Sequence, residues 1–110
     1  MAFCPSCRVV DMDTLTTPQG VVVDECPECG GRWFDAGELE AVSKDPAKMR
    51  AAVADDKDDK PSERVCPRCT TKLIDRALLS RFLRVDYCAG CRGFWVVKTD
   101  FHIIDKLLGA

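Results

Sequence analysis

Apolar positions along this chain come in short runs separated by turn residues, and the series runs through twice. Val9 to Thr16 is rich in β-branched residues with partial alternation, Pro18-Gln19-Gly20 carries turn chemistry, and Val21-Val22-Val23 returns, so the pattern predicts a hairpin. Arg32-Trp33-Phe34 follows as a short third strand. Asp35-Ala36-Gly37-Glu38 then opens a helix, because Asp35 can cap free N–H groups while Glu38 reaches back, and Leu39 and Val42 share its apolar face. Pro46 ends that helix near Lys44 and, behind Asp45, starts another through Met49 and Val53. The second pass predicts strands near Lys72 to Arg76, Phe82 to Tyr87 and Gly93 to Val96, with a weakly marked turn around Ser80-Arg81. It closes with a helix capped by Thr99, whose Phe101, Ile104 and Leu108 form one stripe flanked by Ile103 and Leu107. So much apolar surface is more than a unit of this size covers easily, and the stripe is expected to dock on the other half or on a second chain.

The same doubling is sharper in the cysteines. Cys4, Cys7, Cys26 and Cys29 map onto Cys66, Cys69, Cys88 and Cys91 at an offset of 62, with 18 residues between the inner pair in each copy. Gly31 and Trp33 recur as Gly93 and Trp95, which marks an internal duplication. Two Cys-x-x-Cys knuckles joined by a hairpin-length spacer bring four thiolates together, as tetrahedral metal binding requires. All eight cysteines are used. Without a basic, apolar leader or a βαβ pattern, disulfides and a redox dithiol fit less well, and the expected compartment is the cytoplasm. Two zinc ions are the expected cofactors, with iron in a rubredoxin-like setting as the rival.

Size and charge refine this picture. A chain of 110 residues holding two copies predicts residues 1–54 as one ribbon with a helical extension, 55–63 as a solvated acidic linker, and 64–110 as a second ribbon with its terminal helix. Such units bury little, and a bound zinc contributes on the order of 10 kcal/mol to folding, so each is expected to stand or fall with its own metal. The fold class is a small metal-stabilised α+β protein: two zinc ribbons, each of three antiparallel strands and two knuckles, each followed by a short helix. The net charge of −2 hides an asymmetry of −4 for 1–54, −3 for 55–63 and +5 for 64–110. In the last segment Arg68, Lys72, Arg76, Arg81, Arg84 and Arg92 interleave with Phe82, Tyr87, Phe94 and Trp95, the composition of a surface that contacts nucleic-acid phosphate or an acidic partner.

The run Cys26-Pro27-Glu28-Cys29-Gly30-Gly31-Arg32-Trp33-Phe34-Asp35-Ala36-Gly37-Glu38-Leu39, preceded by Cys4-Pro5-Ser6-Cys7, resembles the transcription factor IIB-type zinc-ribbon family of small prokaryotic proteins. That resemblance implies zinc ribbons with the cysteines as ligands and suggests an association with transcription. The second copy departs from the pattern: Ala89 stands for proline, Arg92 for glycine, Val97 for aspartate, and Thr99-Asp100 for the Gly-Glu pair. Arg8 and Thr70 likewise replace the glycine common after such knuckles.

Closed four-thiolate shells leave no coordination position for an activated water, so a non-catalytic binding module is expected rather than an enzyme. The tryptophans are expected to cover the small sheets, and the single histidine, His102, to lie on a helix surface. Nucleic-acid or transcription-complex binding through the basic second ribbon is one expectation. The alternative is a protein–protein adaptor using the acidic half and the apolar terminal helix, with self-association through that helix. A rubredoxin-like electron carrier is a third. No apolar stretch suggests a membrane partner.

Overall fold

The structure is a computed structural model and describes residues 3–54 and 59–109, apart from the side chain of Arg81. The first repeat contributes β1 (Asp13–Thr16), β2 (Val22–Glu25), β3 (Arg32–Phe34), α1 (Glu38–Val42) and α2 (Pro46–Val53). The second contributes β4 (Lys60–Val65), β5 (Lys72–Leu78), β6 (Ser80–Tyr87), β7 (Phe94–Val96) and α3 (Lys98–Gly109). All seven strands described join one antiparallel sheet in the order β1-β2-β3-β7-β6-β5-β4.

The two repeats meet through their third strands. Arg32 pairs with Val96, Trp33 with Trp95, and Phe34 with Phe94, so the register is symmetric about the two tryptophans. Each ribbon therefore covers the other's free sheet edge, which would otherwise expose a row of unpaired backbone groups. A Cα radius of gyration of 12.8 Å fits the roughly 13 Å of a single compact body of this length. The expectation of two ribbons standing apart gives way to one sheet.

Alternation along the joined strands sorts side chains into two cores. Phe34, Phe94 and Val96 point toward the helices, packing with Val23, Leu39, Met49, Leu78, Leu83, Val85 and Ile104. Trp33, next to Phe34, and Trp95, between Phe94 and Val96, face the other way and pack with Cys4, Cys26, Cys66, Cys88 and Leu73. One face of the sheet thus carries the helices and the other the knuckles.

Several local expectations are corrected. Lys60 to Glu63, assigned to the linker, begin a fourth strand of the second ribbon, where Ser62 is buried and Pro61 is tolerated at the sheet edge. Asp59 is held by Arg76, while residues 55–58 lie outside the described residues. The β5–β6 turn falls at Leu79 in a left-handed conformation. Asp45 does cap α2, accepting from the Lys48 N–H at 3.1 Å, and Glu38 does reach back to the Asp35 N–H at 2.8 Å. The Asp35 carboxylate, by contrast, does not cap α1, whose N-cap is Gly37 with no side-chain cap. Helix α3 begins at Lys98, one residue ahead of the expected cap Thr99.

The apolar stripe of α3 finds its cover within the chain. Ile104 is buried, while Phe101, Leu107 and Leu108 pack against the core. Phe101 packs against Phe34 of the first repeat with ring centroids 5.3 Å apart and the planes tilted by 56°, and the Arg32 guanidinium lies 5.0 Å from the Phe101 ring centroid.

Candidate metal centres

Each Cys-x-x-Cys is a tight turn closed by its own backbone. The N–H of the residue after the second cysteine donates to the carbonyl of the first: Arg8 to Cys4, Gly30 to Cys26, Thr70 to Cys66 and Arg92 to Cys88, at 2.7 to 3.0 Å. All four closing residues have φ between 59° and 74°. Glycine adopts this region freely, whereas arginine costs something and a β-branched threonine more. The structure thereby explains why glycine is expected there and shows that the turn persists without it.

The hairpin β1–β2 returns Cys26 and Cys29 to Cys4 and Cys7, and β5–β6 does the same for Cys88 and Cys91. In each group the four sulfurs lie within 4.8 Å of one another. Across the knuckles the Sγ separations are 3.7 Å for Cys4–Cys29, 3.8 Å for Cys7–Cys26 and 3.7 Å for Cys66–Cys91. A disulfide needs about 2.05 Å. A zinc–thiolate tetrahedron with bonds of about 2.3 Å has edges near 3.8 Å, so donors and geometry both fit zinc. The two groups are the two zinc sites of the protein.

Backbone dipoles prepare the sulfurs as anions. Cys7 and Cys29 N–H groups donate to Cys4 and Cys26 Sγ at 3.2 and 3.5 Å, and Arg68 and Cys69 donate to Cys66 Sγ at 3.3 and 3.2 Å. Burial pushes the Cys66 thiol up to about 12. It also opposes ionisation of Cys88, but N–H groups of Cys91 and Gly90 and the thiols of Cys66 and Cys91 outweigh it and hold Cys88 at about 7. Bound zinc supplies the positive charge that lets all four ionise together.

The two centres are locked to each other by features that single positions in the sequence do not reveal. Gly31 lies against the indole of Trp95 and Gly93 against that of Trp33, so closely that an added Cβ would sit 2.4 and 2.2 Å from ring atoms. The third position of each first knuckle also reaches across. Ser6 accepts from the Trp95 Nε1–H at 3.1 Å, and its counterpart Arg68 donates to Asp35, which accepts from the Trp33 Nε1–H at 2.9 Å. The recurrence of glycine two residues before each tryptophan was the available signal; the crossing was not readable.

The basic candidates are scattered and mostly engaged. Arg68 holds Asp24 and Asp35 of the first repeat, Arg76 holds Asp59, Arg84 holds Asp75, and Lys72 reaches Glu63 at 3.6 Å. Arg76 is only 5% exposed and stacks on Tyr87 with its guanidinium 4.2 Å from the ring. Arg92 closes the last knuckle, and the Arg81 side chain lies outside the described residues. Arg64, which opens the same basic run in the sequence, is engaged as well, donating to Asp86 and to Ser6 Oγ, each at 3.0 Å. No helix among the described residues is long and apolar enough to cross a membrane.

The family model for the transcription factor zinc-finger, the zinc ribbon of the transcription factor IIB type, matches residues 3–45 and 65–105. No curated protein and no solved structure matches the chain.

Proposed function

Because this chain belongs to the transcription factor zinc-finger family, with both repeats matched, we propose that it is a non-catalytic, zinc-stabilised binding module whose partner is a protein. Four thiolates complete each zinc shell, so the metal organises the fold and keeps no position for substrate. The observation that carries the choice of partner is the fate of the basic residues: Arg68, Arg76 and Arg84 are held by carboxylates of the chain itself. A phosphate backbone would have to break those pairs before gaining its own. The adaptor role therefore rests on the surfaces that remain, including the exposed Phe82 and Ile103.

Fluorescence anisotropy with labelled single-stranded and duplex oligonucleotides tests this directly. No saturable binding is expected at about 0.15 M salt, while crosslinked protein partners should be recovered equally with and without nuclease. Saturable binding with a log–log salt slope of about −2 or steeper would replace the adaptor with a nucleic-acid module.

A further inference from the structure

The register of β3 on β7 makes the two repeats near-symmetric about the tryptophan pair, so each second knuckle has a counterpart on the other side of the molecule. A cleft lies beside each, and the two are lined differently. At the first centre a cleft of about 510 Å³ is lined by Cys26, Cys29 and Gly30, together with Lys98 and His102 of α3. At the second, the residues that correspond to Gly30, Lys98 and Arg32 are Arg92, Ala36 and Phe94; these line the cleft, and no cysteine is among its described lining residues.

Gly30 against Arg92 is the exchange that opens one knuckle and fills the space beside the other. Both residues close their turns at positive φ, but only Arg92 sets a side chain there. Cys29 is accordingly exposed, whereas its counterpart Cys91 is half-buried and Cys4, Cys26, Cys66 and Cys88 are buried. A thiolate on zinc stays anionic at neutral pH, and the thiolate is the form that attacks an electrophile. Cys29 combines that charge with access. Glu25, Glu28 and Asp105 line the same cleft beside the doubly negative zinc–thiolate centre, which disfavours an anionic oxidant and admits an uncharged one.

We propose that Cys29 is a modification site, the sulfur at which hydroperoxides reach this protein, and that its oxidation ends in a Cys4–Cys29 disulfide that dismantles the first metal centre ahead of the second. The Cys29 thiolate attacks one peroxide oxygen: the S–O bond forms, the O–O bond breaks, and the departing hydroxide takes a proton to become water. The Cys4 thiolate, whose Sγ lies 3.7 Å from that of Cys29, then attacks the sulfenic sulfur. An S–S bond forms, the S–O bond breaks, and the hydroxide leaves as a second water. Two thiolates have lost two electrons and the peroxide has gained them. Two thiolates remain, too few to hold the ion.

The test treats the zinc-loaded full chain with hydrogen peroxide, traps sulfenic acid with dimedone, and maps label and disulfides by peptide mass spectrometry. Because the ribbons share a sheet, loss of one centre exposes the other, so the reading is taken at low conversion. Label at Cys29 is expected at least about ten-fold above that at any cysteine of the second centre, with Cys4–Cys29 as the first disulfide. Two variants, each checked by native mass spectrometry for two bound zinc ions before oxidation, separate access from fold. Gly30→Arg copies the second knuckle, and its Cβ meets only the flexible Lys98 chain, with Cδ at 2.9 Å; label at Cys29 should fall several-fold. Cys29→His keeps a zinc ligand but removes the sulfur, and should bring label in the first centre down to the level of the second. Equal early label in both centres, Cys29 label undiminished in Gly30→Arg, or first-centre label in Cys29→His at the wild-type rate overturns the site. A first disulfide from Cys29 to any cysteine other than Cys4 overturns the pairing.

Discussion

The two ribbons build the same sulfur cage from unlike materials. In the first, glycine closes the second knuckle, three strands suffice, and two short helices follow. In the second, Thr70 and Arg92 close both knuckles at positive φ, a fourth strand lies on the outside, and one 12-residue helix follows. The second ribbon thus carries more backbone strain and compensates with more packing, since β5, β6 and α3 supply Leu78, Leu83, Val85 and Ile104 to the helical core. The comparison shows that zinc geometry tolerates a costly residue wherever the surrounding sheet over-determines the turn.

The unlike ribbons nonetheless depend on each other, and this is where the comparison breaks most visibly. Cys26→Ser removes a ligand from the first site, and structural zinc is worth on the order of 10 kcal/mol, about the whole stability of a small domain. Because Trp33 seats on Gly93 and Trp95 on Gly31, amide protection should fall in both halves, and Cys88→Ser should do the same in reverse. Hydrogen exchange on the two variants checks this. Protection surviving in the unmutated half would mean the β3–β7 join transmits little.

Gly93→Ala and Gly31→Ala test the tryptophan seats without touching a ligand. An alanine at 93 would meet a Trp33 ring carbon at 2.2 Å and the Phe34 carbonyl oxygen at 3.0 Å, while the three atoms nearest to one at 31 all belong to the Trp95 ring. Backbone yields less than a ring, so Gly93→Ala should cost about 3 kcal/mol and Gly31→Ala about 2 kcal/mol in chemical denaturation, with two zinc ions still bound. Equal costs, or zinc loss from one site alone, would remove the asymmetry.

A smaller difference lies in how each ribbon holds its charges. Hydrogen bonds from Arg76 keep the Asp59 carboxyl below its ordinary range. A depressed carboxylate stabilises the fold above its unfolded pKa, near 4, and that contribution fades as pH falls through the lower folded value. Asp59→Asn should therefore cost about 1 kcal/mol at neutral pH and narrow its gap to wild type below about pH 4. Thermal melts of both proteins across that window read the difference, because protonation of the thiolates is common to the two. A gap independent of pH would assign the loss to packing around Arg76. The smallest effect belongs to Thr70→Gly, which relieves a β-branched residue at φ 59° at the expense of a freer unfolded chain. A gain of about 0.5 kcal/mol is expected in the same melts, against a loss for Ser6→Gly, which removes the hydroxyl that accepts from the Trp95 Nε1–H and relieves no positive φ.

Much of the local structure was legible because it depends on near neighbours. Cysteine spacing is enough to bring four sulfurs together, since an 18-residue hairpin has few ways to return. Pro46 behind Asp45 specifies a helix start through ring geometry and one capping bond. The strand at Lys60 to Val65 was illegible because its edge position needs no alternating apolar face and admits Pro61, which made it read as linker. Asp35 was misassigned for a related reason: its carboxylate has two possible local partners, and a distant arginine decided between them.

By itself, then, the sequence determined the two metal centres, their ligands, the duplication and most of the hairpins, all of them matters of short range or of invariant coordination chemistry. Only the tertiary structure decided that β3 and β7 pair, that each tryptophan packs on the other ribbon, and that Arg68, Arg76 and Arg84 are held by carboxylates of the chain itself. Those outcomes come from an edge-to-edge union that satisfies exposed backbone groups, and hydrogen-bonding capacity at a strand edge is the same for every residue but proline. Side-chain identity carries no record of which edge will be met.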